Sequence, residues 1–246
     1  MKFLICDKGS EAANEAGRFG SGLAQLAGAE AVHFQVSGGD PVERILAESA
    51  RGGFDLIVIG SRGGRGLAKL FMGSIATRLA KQSPQPLLIV KGRRESVQRI
   101  LVCTGGERPG ESCAAWGGRV AAWTGAQVTV LHVMSQLALA ENARLEDLQD
   151  TAEEAIAQGT REGRHLQKLM AMARERGMTG EVKPKIRHGL VLDEIVAEVE
   201  EGDYDLVIIG AHHPPTGDLW GKLLLDDVAH QIVQECPRPV LVVRAR

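Results

Sequence analysis

Short runs of Val, Ile and Leu recur along this chain without polar alternation, separated by longer stretches whose apolar residues fall at helical spacing. Unalternated runs predict strands buried on both faces, hence a parallel sheet covered by helices. In the first half the strands fall near 2–6, 31–36, 55–59 and 87–90, with helices near 11–27, 41–51 and 74–82. In the second half they fall near 99–103, 127–133, 182–187, 205–209 and 240–244, with helices near 110–124, 141–177, 191–201 and 226–235. From Glu141 to Arg176 the pattern places Leu145, Leu148, Ala152 and Ala155 on one face, which predicts one long charged helix lying over the sheet.

The alternation is a duplication, the feature to look for before any single residue. Phe54-Asp55-Leu56-Ile57-Val58-Ile59-Gly60 returns as Tyr204-Asp205-Leu206-Val207-Ile208-Ile209-Gly210. Ser83-Pro84-Gln85-Pro86 and its strand return as Cys236-Pro237-Arg238-Pro239 and its strand, and Lys2 to Cys6 matches Arg99 to Cys103. The boundary falls in the charged stretch Gly92 to Val97, giving domains 1–94 and 97–246. The expected class is α/β: two tandem doubly wound, Rossmann-like parallel-sheet units, the first truncated. The first lacks a counterpart to the long charged helix and one strand beside it, so that Ala31 to Val36 serves as one strand where the second half uses two.

The candidate chemistry lies where the third apolar run ends. Gly60-Ser61-Arg62-Gly63 is followed by Gly73-Ser74 at the head of an apolar-periodic helix. A strand, a glycine-rich turn and a helix start suit phosphate. Glycine lets backbone N–H groups approach the anion, and a helix N-terminus adds free donors and a positive dipole end. Ser74 adds a hydroxyl, and of the loop cations Arg62, Arg65 and Lys69, Arg62 is expected to reach phosphate. The second copy continues instead as Ala211-His212-His213-Pro214-Pro215 and meets its helix with Asp226-Asp227. Carboxylates there repel phosphate and read as helix caps. Thr104-Gly105-Gly106 also offers no carboxylate after the first strand of that half.

Composition narrows the partners. The 246 residues carry a net charge of −2, and no basic stripe with interleaved aromatics suggests nucleic acid. No apolar run is long enough to span a membrane, and Met1-Lys2-Phe3-Leu4-Ile5-Cys6-Asp7-Lys8 is charged too early for a secretory signal, so a soluble cytoplasmic protein is expected. Cys6, Cys103, Cys113 and Cys236 show neither metal nor redox spacing and read as buried small hydrophobes. His212-His213 supplies only two ligands, and His33 and His132 lie on strands, so neither a metal site nor catalytic residues are expected.

These residues resemble the universal stress protein (UspA-type) family. The resemblance rests on Gly60-x2-Gly63-x9-Gly73-Ser74, on Gly39-Asp40-Pro41 opening a helix, on Asp55 to Ser61, and on the closing Pro-x-Pro strand, and it spans both halves. It implies a tandem member that binds ATP, ADP or AMP at the topological switch point of the first unit only, with Mg²⁺ held through the phosphates. Gly60, Gly63, Gly73 and Ser74 would then hold the phosphates, with Ile59 and Ile75 as backbone neighbours. Asp7 would contact the ribose, although Cys6-Asp7-Lys8-Gly9-Ser10 sets it one residue earlier than the family's Asp-Gly-Ser, and Phe34 would lie near the base. The resemblance further implies an internal pseudo-dimer in which the strands near 87–90 and 240–243 lie near each other at the interface. A regulatory nucleotide-binding homodimer with little turnover is expected. The alternatives are a slow ATPase or self-phosphorylating enzyme, and a nucleotide-free scaffold.

Overall fold

The computed structural model describes residues 1–7, 9–61, 69–104, 107–135, 151–211 and 228–244. In chain order the elements are β1 (Lys2–Asp7), α1 (Glu11–Leu26), β2 (Glu30–Gln35), α2 (Pro41–Gly52), β3 (Leu56–Ser61), α3 (Lys69–Gln82) and β4 (Leu87–Lys91). Then follow β5 (Arg99–Thr104), α4 (Glu107–Thr124), β6 (Gln127–Ser135), α5 (Ala152–Gln158), α6 (Arg161–Arg174), β7 (Val182–Gly189), α7 (Val191–Glu201) and β8 (Leu206–Ala211). Helix α8 covers residues 228–235, and β9 (Val240–Arg244) is last. Contacts divide the chain into two compact units: Met1–Val97 with Ala211–Arg244, and Gln98–Gly210.

In the first unit the strand order is β2-β1-β3-β4-β9. The first four strands are parallel, as expected of unalternated apolar runs, whereas β9 runs antiparallel to β4 with Leu88 opposite Leu241. The two terminal strands of the repeat therefore lie side by side. Phe3, Leu4, Ile5, Ile57, Val58, Leu88 and Ile89 are fully buried, which is where the unit's core lies. Local chemistry sets the helix starts. The Ser10 hydroxyl caps α1 by accepting from the Ala13 amide, and Asp40 caps α2 by accepting from the Val42 and Glu43 amides, with Pro41 as first helical residue. Asp40 also receives Arg78 at 2.7 Å, and that bond holds its carboxyl below the ordinary range. Two cations tie the last elements down: Lys91 Nζ donates at 2.6 Å to the Val233 and Cys236 carbonyls, and Arg244 donates to the Ala80 and Lys81 carbonyls.

In the second unit the order is β8-β5-β6-β7, all parallel. One sequence expectation fails here. Residues 141–150 lie outside the described set, and the remainder of the expected long helix is broken in two. Gly159 adopts φ 65° and ends α5, and Thr160 then caps α6 by accepting from the Gly163 amide. The charged amphipathic pattern runs through the break, but the Gly-Thr pair is a stop followed by a start. Helix α5 itself begins with a capping box between Thr151 and Glu154. Buried Glu198 on α7 accepts from Tyr204 Oη at 2.7 Å, Lys185 Nζ at 2.6 Å and Arg187 at 2.9 Å, which ties that helix to β7.

Helices α4 and α6 meet at a backbone contact. A Cβ at Gly118 would overlap the Ala173 carbonyl oxygen, a rigid group that cannot turn aside. Gly118→Ala is expected to destabilise the protein by about 1–3 kcal/mol, the usual cost of overpacking, read as a lower urea midpoint at unchanged slope. An unchanged midpoint would show that the two helices have room to part.

Candidate functional site

In the first unit the chain leaves β1 to one side for β2 and returns to the other side for β3. Such a reversal opens a crevice beyond the C-terminal ends of the strands, where open α/β sheets take ligands. A cavity of about 640 Å³, within the usual range for small-molecule sites, opens at the ends of β3 and β4, and Asp7, Phe34, Ile59 and Gly60 do not line it. It is walled by Ser10, Glu11, Ala12 and Glu15 of α1, by Ser61 at the end of β3, and by Val90, Gly92 and Arg93 at the end of β4.

The N-terminus of α1 reaches this cavity because the next-to-last residue of β3 is glycine. A Cβ at Gly60 would overlap the Ala12 carbonyl, so any larger residue would push the helix away from the strand. The Asp7 carboxylate ends β1 and accepts from the Gly9 amide at 2.7 Å, shaping the turn into α1. For an anion the wall offers the Ser10 and Ser61 hydroxyls, the helix start and exposed Arg93, which also pairs with Glu95 at 2.9 Å. Glu11 and Glu15 carry the opposite sign; Glu15 is paired with Arg18.

Several residues marked in the sequence come together at the strand ends. Asp7 is the last residue of β1, Phe34 lies half-buried on β2 opposite Cys6, and buried Ile59 precedes Gly60 on β3. Gly73, Ser74 and Ile75 lie on α3, but not at its head. The helix already runs at Lys69, so Gly73 sits a turn further in than the sequence suggested. Lys69-Leu70-Phe71-Met72 contains no breaker, and a lone glycine inside a helix costs only about 1 kcal/mol. Arg62, Gly63 and Arg65 lie outside the described residues, as do Gly105, Gly106, His212 to Pro215, Asp226 and Asp227. Sequence reasoning passed over Glu11, Glu15 and Arg93. Arg93 was absorbed into the charged boundary, and nothing in the local pattern distinguishes Glu11 or Glu15 from other polar residues of a surface helix.

The matching corner of the second unit is built otherwise. Thr104 stands at the end of β5, where β1 has Asp7, and its hydroxyl lies 3.0 Å from His132 Nδ1. His132 meets His165 edge-on at 5.7 Å, and burial, with His165 second, holds its pKa below the ordinary value. All four cysteines are buried thiols outside any disulfide. Among the described residues no helix is long and apolar enough to cross a membrane, and no group of three or more His, Cys, Asp or Glu could hold a metal ion.

Fold and repeat together define a duplicated α/β protein with an open crevice at the strand ends of its first unit. The model of the universal stress protein family matches residues 2–91 and again 96–244. The chain therefore belongs to the universal stress protein family. The stress response protein NhaX of Bacillus subtilis is 45% identical over 53 residues, 22% of this chain and 32% of NhaX. Universal stress protein YxiE of the same organism is 40% identical over 53 residues, 22% of this chain and 36% of YxiE. The chain thus spans about a third of the length of these curated relatives. A universal stress protein of Archaeoglobus fulgidus has the same fold, with a TM-score of 0.64 at 18% identity over 100% of this chain and 98% of that one.

Next to the cavity wall, Lys91 is buried, and its burial pushes the ammonium from 10.5 to about 8. The folded state gives up this proton at lower pH than the unfolded chain, so the unfolded state holds more protons between those values. The Lys91 contribution to stability should accordingly rise with pH across that window, by on the order of 1–3 kcal/mol. The parent should therefore gain on Lys91→Met even as the buried thiols of Cys6, Cys113 and Cys236, held above their ordinary pKa by burial, lower the stability of both proteins. Urea midpoints of both proteins near either end of the window give the check; parallel changes would disprove the assignment.

Proposed function

We propose that the first unit binds an adenine nucleotide, ATP, ADP or AMP, as a regulatory ligand with little or no turnover, and that the second unit does not. The carrying observation is the cavity beyond β3 and β4, set beside the one intact glycine pattern of a universal stress protein. In this reading Gly60, Gly63, Gly73, Ser74 and Arg62 face the phosphates, with Ile59 and Ile75 as backbone neighbours. Asp7 takes the ribose and Phe34 lies near the base. Glu11 and Glu15 on the wall disfavour a bare polyphosphate, so the nucleotide carries Mg²⁺ on its own oxygens rather than in a protein cage. Thr104 in place of Asp7, and Asp226-Asp227 in place of Gly73-Ser74, deprive the second unit of partners at both ends of a nucleotide. The repeats run from 1 to 94 and from 97 to 246, and the protein works as a cytoplasmic homodimer.

Calorimetry with ATP, ADP and AMP tests the assignment. One nucleotide per chain is expected. Gly73→Asp should abolish binding by setting a carboxylate against phosphate. Bonds to charged groups contribute about 1.5–3 kcal/mol each, or roughly ten- to hundredfold in affinity. Asp226→Ala with Asp227→Ser should create no second tight site, because Pro214 and Pro215 lack amide donors and His213 stands in place of the loop glycine. Two nucleotides per chain, or binding that survives Gly73→Asp, would overturn the asymmetry. No binding at millimolar nucleotide would make the protein a scaffold, and ADP release that Gly73→Asp abolishes would make it an enzyme.

A further inference from the structure

Strand β2 is the edge of the first unit's sheet and β7 an edge of the second's, and the sequence treats the two oppositely. Strand β7 carries Lys183, Pro184, Lys185 and Arg187. Proline and cations are the usual means of keeping a foreign strand off an edge. Strand β2 reads Glu30-Ala31-Val32-His33-Phe34-Gln35 and has neither proline, lysine nor arginine. It is also regular, in unbroken register with β1 from Lys2 opposite Glu30 to Asp7 opposite Gln35.

Its outward hydrogen-bonding groups can be assigned. The Glu30 amide donates to the Met1 carbonyl and the Val36 amide to the Asp7 carbonyl, so the even-numbered residues turn their backbone toward β1. Alternation leaves Ala31, His33 and Gln35 with N–H and C=O directed outward. All three are exposed, and no strand among the described residues pairs with that side.

We infer that this edge receives β2 of a second copy of the chain, antiparallel, across a two-fold axis through the paired His33 residues. The inference rests on the homodimer reading and names its face. A two-fold axis perpendicular to a continuous sheet must place one residue opposite itself. Centred on His33, the pairing sets His33 against His33 and Ala31 against Gln35 in both directions, so every outward group of the strand finds a partner. Centring on Val32 or Phe34 leaves part of the outward set beyond the strand's end. The His33 register also sets Val32 against Phe34 twice on one face, two apolar side chains that are only half-buried in the single chain. Glu30 falls opposite Val36, so no like charges from this strand face each other. A self-complementary patch about a dyad is what a closed homodimer requires.

Light scattering and oxidative cross-linking test the inference on the full chain. The parent should scatter as two chains, and His33→Lys as one, since two ammonium groups then stand directly opposed. Residue 33 in the two copies would have Cα atoms about 5.5 Å apart, within disulfide reach, so His33→Cys should form a covalent dimer on oxidation. Ala31→Cys should not, because its copies would stand about 13 Å apart. The native cysteines are buried and do not compete. A two-chain mass that persists in His33→Lys, with no cross-link through His33→Cys, overturns the β2 edge while leaving a homodimer by another face. A parent that scatters as one chain overturns both.

Discussion

Nothing larger than hydrogen fits on Gly60, and the crevice depends on that constraint. The Ala12 carbonyl lies where a Cβ would be, so the first turn of α1 rests directly on the end of β3 and becomes a wall of the cavity. The second unit repeats the contact, for a Cβ at Gly210 would press on Pro109 at the start of α4. The glycine that closes each Ile-Gly run is therefore a packing glycine in both units. This separates two demands that one sequence pattern had merged. Gly60 and Gly210 persist in both copies because the helix must come close. Gly63, Gly73 and Ser74 belong to one copy alone, so packing shared by the units does not account for them.

Buried charge holds the remaining elements in place. Lys91 could not stay buried without acceptors, and the carbonyls of Val233 and Cys236 at the end of α8 supply them. The same bonds satisfy carbonyls that a helix C-terminus leaves open. With Arg244 on the carbonyls ending α3 and β9 paired to β4, the end of the chain is built into the first unit, although the repeat assigns that strand to the second half. The second unit uses a different arrangement, with Glu198 receiving a phenol, an ammonium and a guanidinium at once. Removing a partner from such a group costs about 3–5 kcal/mol, so both arrangements fix their elements firmly without adding apolar area.

The inner strands were readable in the sequence because both of their faces are buried, and runs such as Leu56 to Ile59 have no other common use. Asp40-Pro41 announced a helix start by side-chain chemistry that acts within one turn. What escaped was set at longer range or by rival local signals. The break at Gly159-Thr160 was overridden by a charged amphipathic pattern that continues on both sides of it. The start of α3 was placed near residue 74, just after Gly73, yet one glycine does not stop a helix whose other residues favour it. Glu11, Glu15 and Arg93 meet at one cavity only because Gly60 admits α1 and β4 ends beside it, a juxtaposition that no local spacing encodes.

The truncation of the first repeat left its mark on composition. The ladders make Ala31 and His33 equivalent to Val128 and Val130, since Cys6 faces Phe34 as Cys103 faces Leu131. In the second unit, where β7 adjoins β6 and α6 packs against α4 and the sheet, both valines are fully buried. In the first unit the equivalent positions are exposed and hold a smaller and a polar residue, with His33 bonded to the Ser21 hydroxyl at 3.1 Å. With no counterpart of β7 and α6 among the described residues of the first unit, that face carries smaller and polar side chains, as solvation requires. The backbone edge could not be adjusted in the same way, because every residue but proline carries the same donor and acceptor. An edge can be blunted only by proline, charge, a bulge or cover; β2 has no proline and no bulge, and its one formal charge, Glu30, stands at its first residue and pairs with Lys2 at 3.5 Å. The face of the first unit is adapted to water while its edge retains the form of a strand awaiting a neighbour.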